Sequence, residues 1–302
     1  MRITNFSLPL INLTWRLVYA LHEGGYNPFD GAIRAINLTS DVESPVYCIF
    51  ETNEQLFVIS RGTWDCNDVS TDIEMYEIST PYGIYYKGFY SAAQYVYGIA
   101  KPFIKSTRKP IYFIGHSYGG GVSQILHTIA AQDFPLKDIN TISFAPVPGA
   151  DFAKNLTFGD KIVAFVNEDD VVPTLSLPNI YKRIKFCMAL KYTKQMVIDL
   201  IIGMFKIFEF ITHDFSEKAM KMVISCIPSV VNSLYDIHDG KKPNVYYILG
   251  TVYGISYRIP TDLNRSYIDA SLSLNKLKLK ISGFKDHDPN RYTLAIQNIQ
   301  PF

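Results

Sequence analysis

The stretch FIGHSYGGGVSQIL, residues 113–126, decides which fold the chain adopts. It opens at the end of an apolar β-forming run and closes in a helical pattern, with Ser117 between Gly115 and Gly119. This spacing indicates a nucleophile elbow, in which only glycine fits beside a serine held on a very tight strand-to-helix turn. The alternative is a chance G-x-S-x-G match in an ordinary βα unit, so the rest of the chain must decide.

The segments around this stretch predict an α/β architecture. Strands are predicted at residues 111–114, 141–145 and 161–166, and helical patterns separate them. Such alternation is typical of βαβ units and of a mostly parallel, buried sheet with flanking helices. Residues 46–63 predict a β-hairpin around TNEQ, and residues 88–105 predict a helix. No internal repeat or low-complexity linker interrupts the pattern, so we expect one domain over residues 1–302.

The composition excludes several classes of protein. Hydrophobic residues make up 48% of the 302 residues and charged residues 19%, which favours a globular protein with a large core. The net charge of +1 lacks the basic excess that nucleic acid binding requires, so no nucleic acid partner is expected. The four cysteines are scattered, without a C-x-x-C pair, and predict neither a zinc site nor a disulfide framework.

The first 25 residues predict an amphipathic helix that ends at the Gly24-Gly25 pair. Polar residues interrupt their apolar run, which is unlike the continuous apolar core of a signal peptide. We therefore expect a cytoplasmic or peripherally membrane-associated protein.

An apolar helical insertion is predicted over residues 187–235. Twelve of the sixteen residues from 196 to 211 are large and apolar, and Asp199, Lys206 and Glu209 interrupt them. These charges argue against a membrane-spanning helix, because each would lie in hydrocarbon. Two interpretations stay open: a helical insertion that only packs on the domain, or a cap over the active site that also touches lipid.

A serine hydroxyl needs a base to remove its proton and an acid to orient that base. In the α/β-hydrolase arrangement the acid and then the histidine follow the serine along the chain. The strand at residues 161–166 runs into NEDDVVP, which offers Asp169 and Asp170 at the carboxyl edge of the sheet. The residues alone leave open which of the two is the acid.

His287 is the favoured base among six histidines, because it alone lies in a polar loop after the last predicted strand, residues 274–283. His22 and His127 lie in helical patterns and are expected to pack or to lie at the surface. His116 adjoins the serine, and its side chain is expected to point away from it.

The chain resembles the class 3 lipase family of α/β-hydrolases, which includes fungal triacylglycerol lipases and sn-1-specific diacylglycerol lipases. The likeness covers roughly residues 45–180 and resumes from about residue 240. Six stretches carry it: VISRGTWDCNDVSTDI, YKGFYSAAQYV, GHSYGGGVSQIL, SFAPVPGAD, FVNEDDVVP and DHDPNRY.

The resemblance implies a role for individual residues. The family's D-x-V-P aspartate falls on Asp170, and the histidine of its DH motif falls on His287. Its R-G-S/T motif implies Thr63 as one oxyanion-hole donor, and elbow geometry implies the Tyr118 N–H as the other. The family's lid follows that motif, which would make it residues 64–81 here.

Two departures from the family are visible. Lys87 stands where the family often has a histidine before its GF pair, and that position is not catalytic in the family. The stretch between Asp170 and His287 is longer than in compact members, and the apolar insertion fills it.

The function that this resemblance implies is a serine carboxylic-ester hydrolase acting on acylglycerol lipids through Ser117, Asp170 and His287. The implied substrate is a lipid ester, reached through contact with a membrane or lipid-droplet surface, and no metal or organic cofactor is implied. Phospholipase A1 or general esterase activity is the alternative. From other classes, a catalytically silent lipase-like binding protein and a membrane-docking module built on residues 196–211 stay open.

Overall fold

The computed structural model describes residues 6–24, 30–39, 45–62, 77–151, 161–176, 193–212, 246–263, 265–268 and 285–300, with 179, 181, 185, 227–228, 231–232 and 283. Its helices are α1 (Leu8–His22), α2 (Lys87–Ser106), α3 (Tyr118–Asp133), α4 (Lys194–Thr212) and α5 (Pro289–Gln297). Its strands are β1 (Ala32–Asn37), β2 (Tyr47–Glu51), β3 (Leu56–Ser60), β4 (Glu77–Thr80), β5 (Gly83–Tyr86), β6 (Ile111–His116), β7 (Ile139–Phe144), β8 (Ala150–Asp151), β9 (Ile162–Asn167), β10 (Tyr246–Tyr247), β11 (Thr251–Ile255) and β12 (Tyr267–Ile268).

Eight of the described strands form the central sheet, in the order β1-β2-β3-β6-β7-β9-β11-β12. The five strands from β3 to β11 run parallel to their neighbours, while β1, β2 and β12 pair antiparallel. The predicted hairpin is the β2–β3 pair. The prediction of an α/β protein with a mostly parallel sheet is confirmed.

Helices cover both faces of this sheet because the strand side chains alternate between two apolar cores. On β6, Ile111 and Phe113 point into the core that α2 and α3 complete. The alternate residues Tyr112 and Ile114 point into the other core, to which α1 contributes. The side chains on both faces are buried, which explains why the strand is apolar at successive positions.

Helices α1 and α5 pack together at one end of the second core. Ser7 caps α1 by accepting a hydrogen bond from the Leu10 N–H, and Asp288 caps α5 by accepting one from the Asn290 N–H. The Trp15 Nε1–H donates to Thr293 Oγ1 across the two helices, at 2.9 Å. The capped start of α5 therefore lies directly after His287 and is tied to the N-terminal helix.

A smaller described sheet has the order β10-β8-β5-β4. The predicted lid falls partly on it, because residues 77–80 form β4 and pair antiparallel with β5. Residues 64–76, which make up most of the predicted lid, lie outside the described residues. The predicted strand at 274–283 also lies outside them, apart from Gly283.

Helix α4 lies within the predicted insertion. Its Val197 and Ile198 are buried against Ile227 and Val231. Most of residues 187–235 apart from this helix lies outside the described part of the chain, so the extent of the insertion stays a prediction. Among the described residues, no helix is both long enough and apolar enough to cross a membrane.

Candidate active site

Ser117 lies between the last residue of β6 and the first residue of α3, with φ 57° and ψ −127°. This left-handed conformation is rare for a residue with a side chain. Main-chain hydrogen bonds hold it: the Ser117 N–H donates to the Phe144 carbonyl at 2.9 Å, and the Ser117 carbonyl accepts from Gly121 at 3.2 Å. The strand-to-helix turn that the sequence predicts is present, and Ser117 is its central residue.

The glycines around Ser117 are required by the close approach of main-chain segments. A Cβ on Gly115 would overlap the Gly119 carbonyl, and one on Gly119 would overlap the Ser60 carbonyl at the end of β3. A Cβ on Gly62 would lie 2.7 Å from the His116 carbonyl oxygen. The G-x-S-x-G pattern is therefore a packing requirement of this turn against strand β3.

The structure brings Ser117, His287 and Asp170 into one hydrogen-bonded chain. His287 Nε2 lies 2.9 Å from Ser117 Oγ, and His287 Nδ1 lies 3.0 Å from Asp170 Oδ2. Ser117 follows β6 and Asp170 follows β9, so both lie at the carboxyl edge of the parallel strands, where sites form in open α/β sheets. The histidine reaches them from the loop before α5.

It is Asp170, as the family motif implies, whose carboxylate meets His287. The Asp170 side chain is 0% exposed, so its charge depends on internal donors. The Val172 N–H donates to Oδ1 at 2.9 Å, and the Tyr292 hydroxyl donates to Oδ2 at 2.8 Å. With the imidazole, these donors give the buried carboxylate three partners.

The structure describes one of the two residues expected at the oxyanion hole. Tyr118 is the first residue of α3, so its N–H has no intrahelical acceptor and lies at the positive end of the helix. Its hydroxyl donates to the Gly88 carbonyl at 3.2 Å, and its ring packs on Phe89. Thr63 lies outside the described residues, although Gly62 before it packs on the elbow.

His116 stacks on His287, a contact that sequence reasoning missed. The ring centroids are 4.6 Å apart with an interplanar angle of 22°. Burial lowers the pKa of His116 well below its usual value, and the nearby His287 and His22 lower it further. Burial likewise lowers the pKa of His22 to about 3. His116 and His22 are therefore neutral rings packed behind the base.

Tyr292 and Asp286 are the other site residues that sequence reasoning did not single out. Both lie in the DHDPNRY stretch, but nothing in their local pattern indicates a contact with residues 167–170. His22 and His127, expected either to pack or to lie at the surface, are both buried. In the part of the chain that the structure describes, no group of three or more His, Cys, Asp and Glu could hold a metal ion.

The fold and the serine elbow define an α/β-hydrolase, and comparison with known proteins shows which family part of the chain resembles. Residues 57–180 match the family model Lipase (class 3). This match confirms the resemblance to class 3 lipases and the identification of a carboxylic ester hydrolase. No curated protein matches the chain in sequence.

Solved structures similar to this chain include fungal lipases. A triacylglycerol lipase from Penicillium expansum is 22% identical, over 58% of this chain and 73% of that one, with a TM-score of 0.47. Lipase II from Rhizopus niveus is 14% identical, over 56% and 74%, with a TM-score of 0.46. The Rhizomucor miehei lipase propeptide complex is 13% identical, over 93% and 78%, with a TM-score of 0.54. This last likeness, which extends over nearly the whole chain, is one of fold.

Proposed function

We propose that this protein is a serine hydrolase of lipid carboxylic esters, with Ser117 as nucleophile, His287 as general base and Asp170 as the acid that orients it. The observation that carries the proposal is the hydrogen-bonded chain from Asp170 Oδ2 through the His287 ring to Ser117 Oγ, with distances of 3.0 and 2.9 Å. Nucleophile, base and orienting acid in this order are what acyl transfer requires.

In the first half of the reaction, Ser117 Oγ attacks the ester carbonyl carbon while His287 Nε2 takes the hydroxyl proton. The carbonyl π electrons move to its oxygen, which the N–H groups of Tyr118 and Thr63 stabilise. The tetrahedral intermediate then collapses, the bond from carbon to the alcohol oxygen breaks, and His287 gives its proton to that oxygen. The products are the free alcohol and an acyl ester on Ser117.

In the second half, water attacks the acyl carbon and gives a proton to His287. The bond to Ser117 Oγ breaks, the serine takes the proton back, and a fatty acid leaves. No metal or organic cofactor takes part in these steps.

Asp170 makes the imidazole an effective base. Its carboxylate accepts the hydrogen on Nδ1, which leaves Nε2 free to take the serine proton, and it stabilises the imidazolium that forms. The Tyr292 hydroxyl, at 2.8 Å from Asp170 Oδ2, supports the position of that carboxylate.

Neutral acylglycerols are the substrates we propose first, with phospholipid at its sn-1 position second. The family match supports a lipid ester, and the Penicillium expansum relative is named as a triacylglycerol lipase. The exposed apolar residues of α4 support a substrate presented at a lipid surface.

The test is fatty-acid release from tri-, di- and monoacylglycerol and a phospholipid, compared between the wild type and Ser117→Ala. We expect release that the substitution abolishes, while Ser91→Ala, an exposed serine on α2, keeps full activity. No release from any lipid, with detergent present, would favour a lipase-like binding protein. Equal rates on soluble short-chain esters and on micelles would reduce the proposal to a general esterase.

Helix α4 is the surface that we propose contacts a membrane or a lipid droplet. Met196 and Leu200 are 49% and 51% exposed and lie one helical turn apart, whereas Val197 and Ile198, between them in the sequence, are buried. We expect Met196→Gln with Leu200→Gln to weaken partitioning onto liposomes. Leu136→Gln, at a 99% exposed leucine after α3, is the matched control. Unchanged partitioning of the double variant would rule out this surface.

A further inference from the structure

Asp286, the residue before His287, is a buried carboxylate with an arginine partner. It is 1% exposed, and burial raises its pKa from the usual value. Arg291 Nη1 donates to Asp286 Oδ1 at 2.8 Å. A buried charge of this kind persists only when it is paired and hydrogen-bonded, so this ion pair is a required part of the local structure.

Asp286 is also hydrogen-bonded to the segment that contains Asp170. The Asp169 N–H donates to Asp286 Oδ2 at 3.3 Å, and the Asn167 side-chain amide donates to the Asp286 carbonyl at 2.9 Å. Asn167 is the last residue of β9. The side chain and the main chain of Asp286 therefore both join the segment of the base to the segment of the acid.

Arg291 anchors this junction to two further elements. It lies on α5, next to Tyr292, whose hydroxyl donates to Asp170 and accepts from the Asn167 N–H at 3.0 Å. Its Nη1 also donates to the Tyr257 hydroxyl at 3.0 Å, and its guanidinium lies 4.9 Å from the Tyr257 ring centroid. Tyr257 comes two residues after β11, so the ion pair is fixed from both the helix and the sheet.

We propose that the Asp286–Arg291 ion pair is a positioning device that sets the His287 ring against Asp170. The inference rests on the proposed function, because it concerns the alignment of the base in that site. Neither residue touches the reacting atoms. Displacing a catalytic group by about 1 Å costs on the order of 100-fold in rate, so a pair that fixes two loops at this spot controls kcat.

The first test is Asp286→Asn, which keeps the shape of the side chain and removes its charge. We expect kcat to fall by roughly 10- to 100-fold while KM stays within about twofold, because substrate binding is untouched. The matched control is Glu51→Gln, which also removes a charge from an ion pair, that of Glu51 with Lys109 at 2.7 Å. Lys109 lies just before the start of β6, so this pair is at the end of the parallel strands opposite to the site. The control should lose thermal stability and keep its kcat.

Variants at Arg291 test the pair from its other side. Arg291→Met leaves Asp286 in place without its partner, and we expect the same selective loss of kcat. Arg291→Lys restores a cation to Asp286 but not the contact with Tyr257, so it should recover part of the lost kcat. A purely structural role predicts instead that kcat of the folded fraction is unchanged in all three variants, which would overturn the proposal.

A spectroscopic readout separates this inference from the proposed function. The hydrogen between His287 Nδ1 and Asp170 should give a low-field NMR resonance that is absent from His287→Gln. We expect it to move or broaden in Asp286→Asn and to stay in place in Glu51→Gln. Wild-type protein without turnover would contradict the proposed function alone, whereas an unmoved resonance in folded Asp286→Asn would contradict the positioning role.

Discussion

The two halves of the candidate site are held in place by different means. Ser117 is positioned by its own main chain, with glycines where strand β3 and helix α3 approach the turn. Asp170 and His287 are positioned by side chains that join remote parts of the chain: the Tyr292 hydroxyl donates to Asp170, and the Asn167 amide donates to the carbonyl of Asp286, the residue before His287. Steric requirements confined to one turn leave a local sequence motif, whereas a network of remote side chains leaves none.

The largest expected effect comes from removing members of the proposed triad. We expect Ser117→Ala and His287→Ala each to lower kcat by roughly 10⁴-fold or more, because the two act as one unit. The double variant should be no slower than the slower single variant. Steady-state ester hydrolysis by the three variants, with folding checked by circular dichroism, measures this.

Independent, multiplying effects of the two substitutions would contradict the joint role of serine and histidine.

A methyl group at the elbow should cost stability. Gly119→Ala would place a Cβ against the Ser60 carbonyl, and we expect a loss of about 3 kcal/mol in the free energy of unfolding. Gly98→Ala on α2, where a Cβ meets nothing within 4 Å, is the control and should raise stability by about 0.5–1 kcal/mol. Urea denaturation compares them.

Equal stability of the two alanine variants would show that main-chain crowding does not hold the serine.

At Asp170, one hydroxyl group has a positioning role comparable to that of the glycines around Ser117. Tyr292→Phe removes a donor to Asp170 and an acceptor for the Asn167 N–H, and it leaves a fully buried ring in place. We expect about 1–3 kcal/mol less stability and a kcat lower by roughly tenfold. Calorimetry and initial rates measure the two effects.

Tyr19→Phe is a suitable control, because the Tyr19 hydroxyl lies outside the site and donates to the exposed Asn290 at 2.9 Å. If Tyr292→Phe kept both stability and rate, the side-chain network would not be what positions Asp170.

Buried histidines predict a smaller, pH-dependent effect. Burial and the nearby Lys161 lower the pKa of His127, behind the elbow on α3, from 6.5 to about 3. The unfolded chain takes up this proton below pH 6.5 and the folded chain does not, so stability falls as the pH drops from 6.5 toward 3. Each such histidine contributes about 1.4 kcal/mol per pH unit in that window.

His127→Gln should therefore reduce the slope of unfolding free energy against pH by about one proton between pH 4 and 6. Denaturant melts across this range measure it, and an unchanged slope would mean that His127 is protonated in the folded protein.

The contrast between local main-chain packing and a remote side-chain network also explains which parts of the molecule could be predicted from the sequence. The alternating strands, the β2–β3 hairpin and the elbow were predictable, because each rests on local patterns of side-chain alternation and glycine sterics. The residues alone could not tell whether Asp169 or Asp170 is the acid, since the two are neighbours in one acidic run and only the folded structure shows which side chain meets the imidazole. The family motif supplied that distinction.

The supporting residues were out of reach for a physical reason. Asp286 and Asn167 are joined by a hydrogen bond across 119 positions of the chain, and Tyr292 and Asp170 by one across 122. Such contacts depend on how β9 and α5 pack, which no short pattern encodes. The stacking of His116 on His287 is missed similarly, because the direction of a side chain at a tight turn depends on what fills the space behind it.

The central claim is that Ser117 is a nucleophile activated by His287, and covalent labelling tests it most directly. The protein would be treated with a fluorophosphonate, and the modified residue located by mass spectrometry of the intact chain and its peptides. The account predicts one adduct, on Ser117, which forms far more slowly in His287→Ala and is absent from Ser117→Ala. Folded wild-type protein that stays unlabelled, or that carries the adduct on another residue, would contradict it.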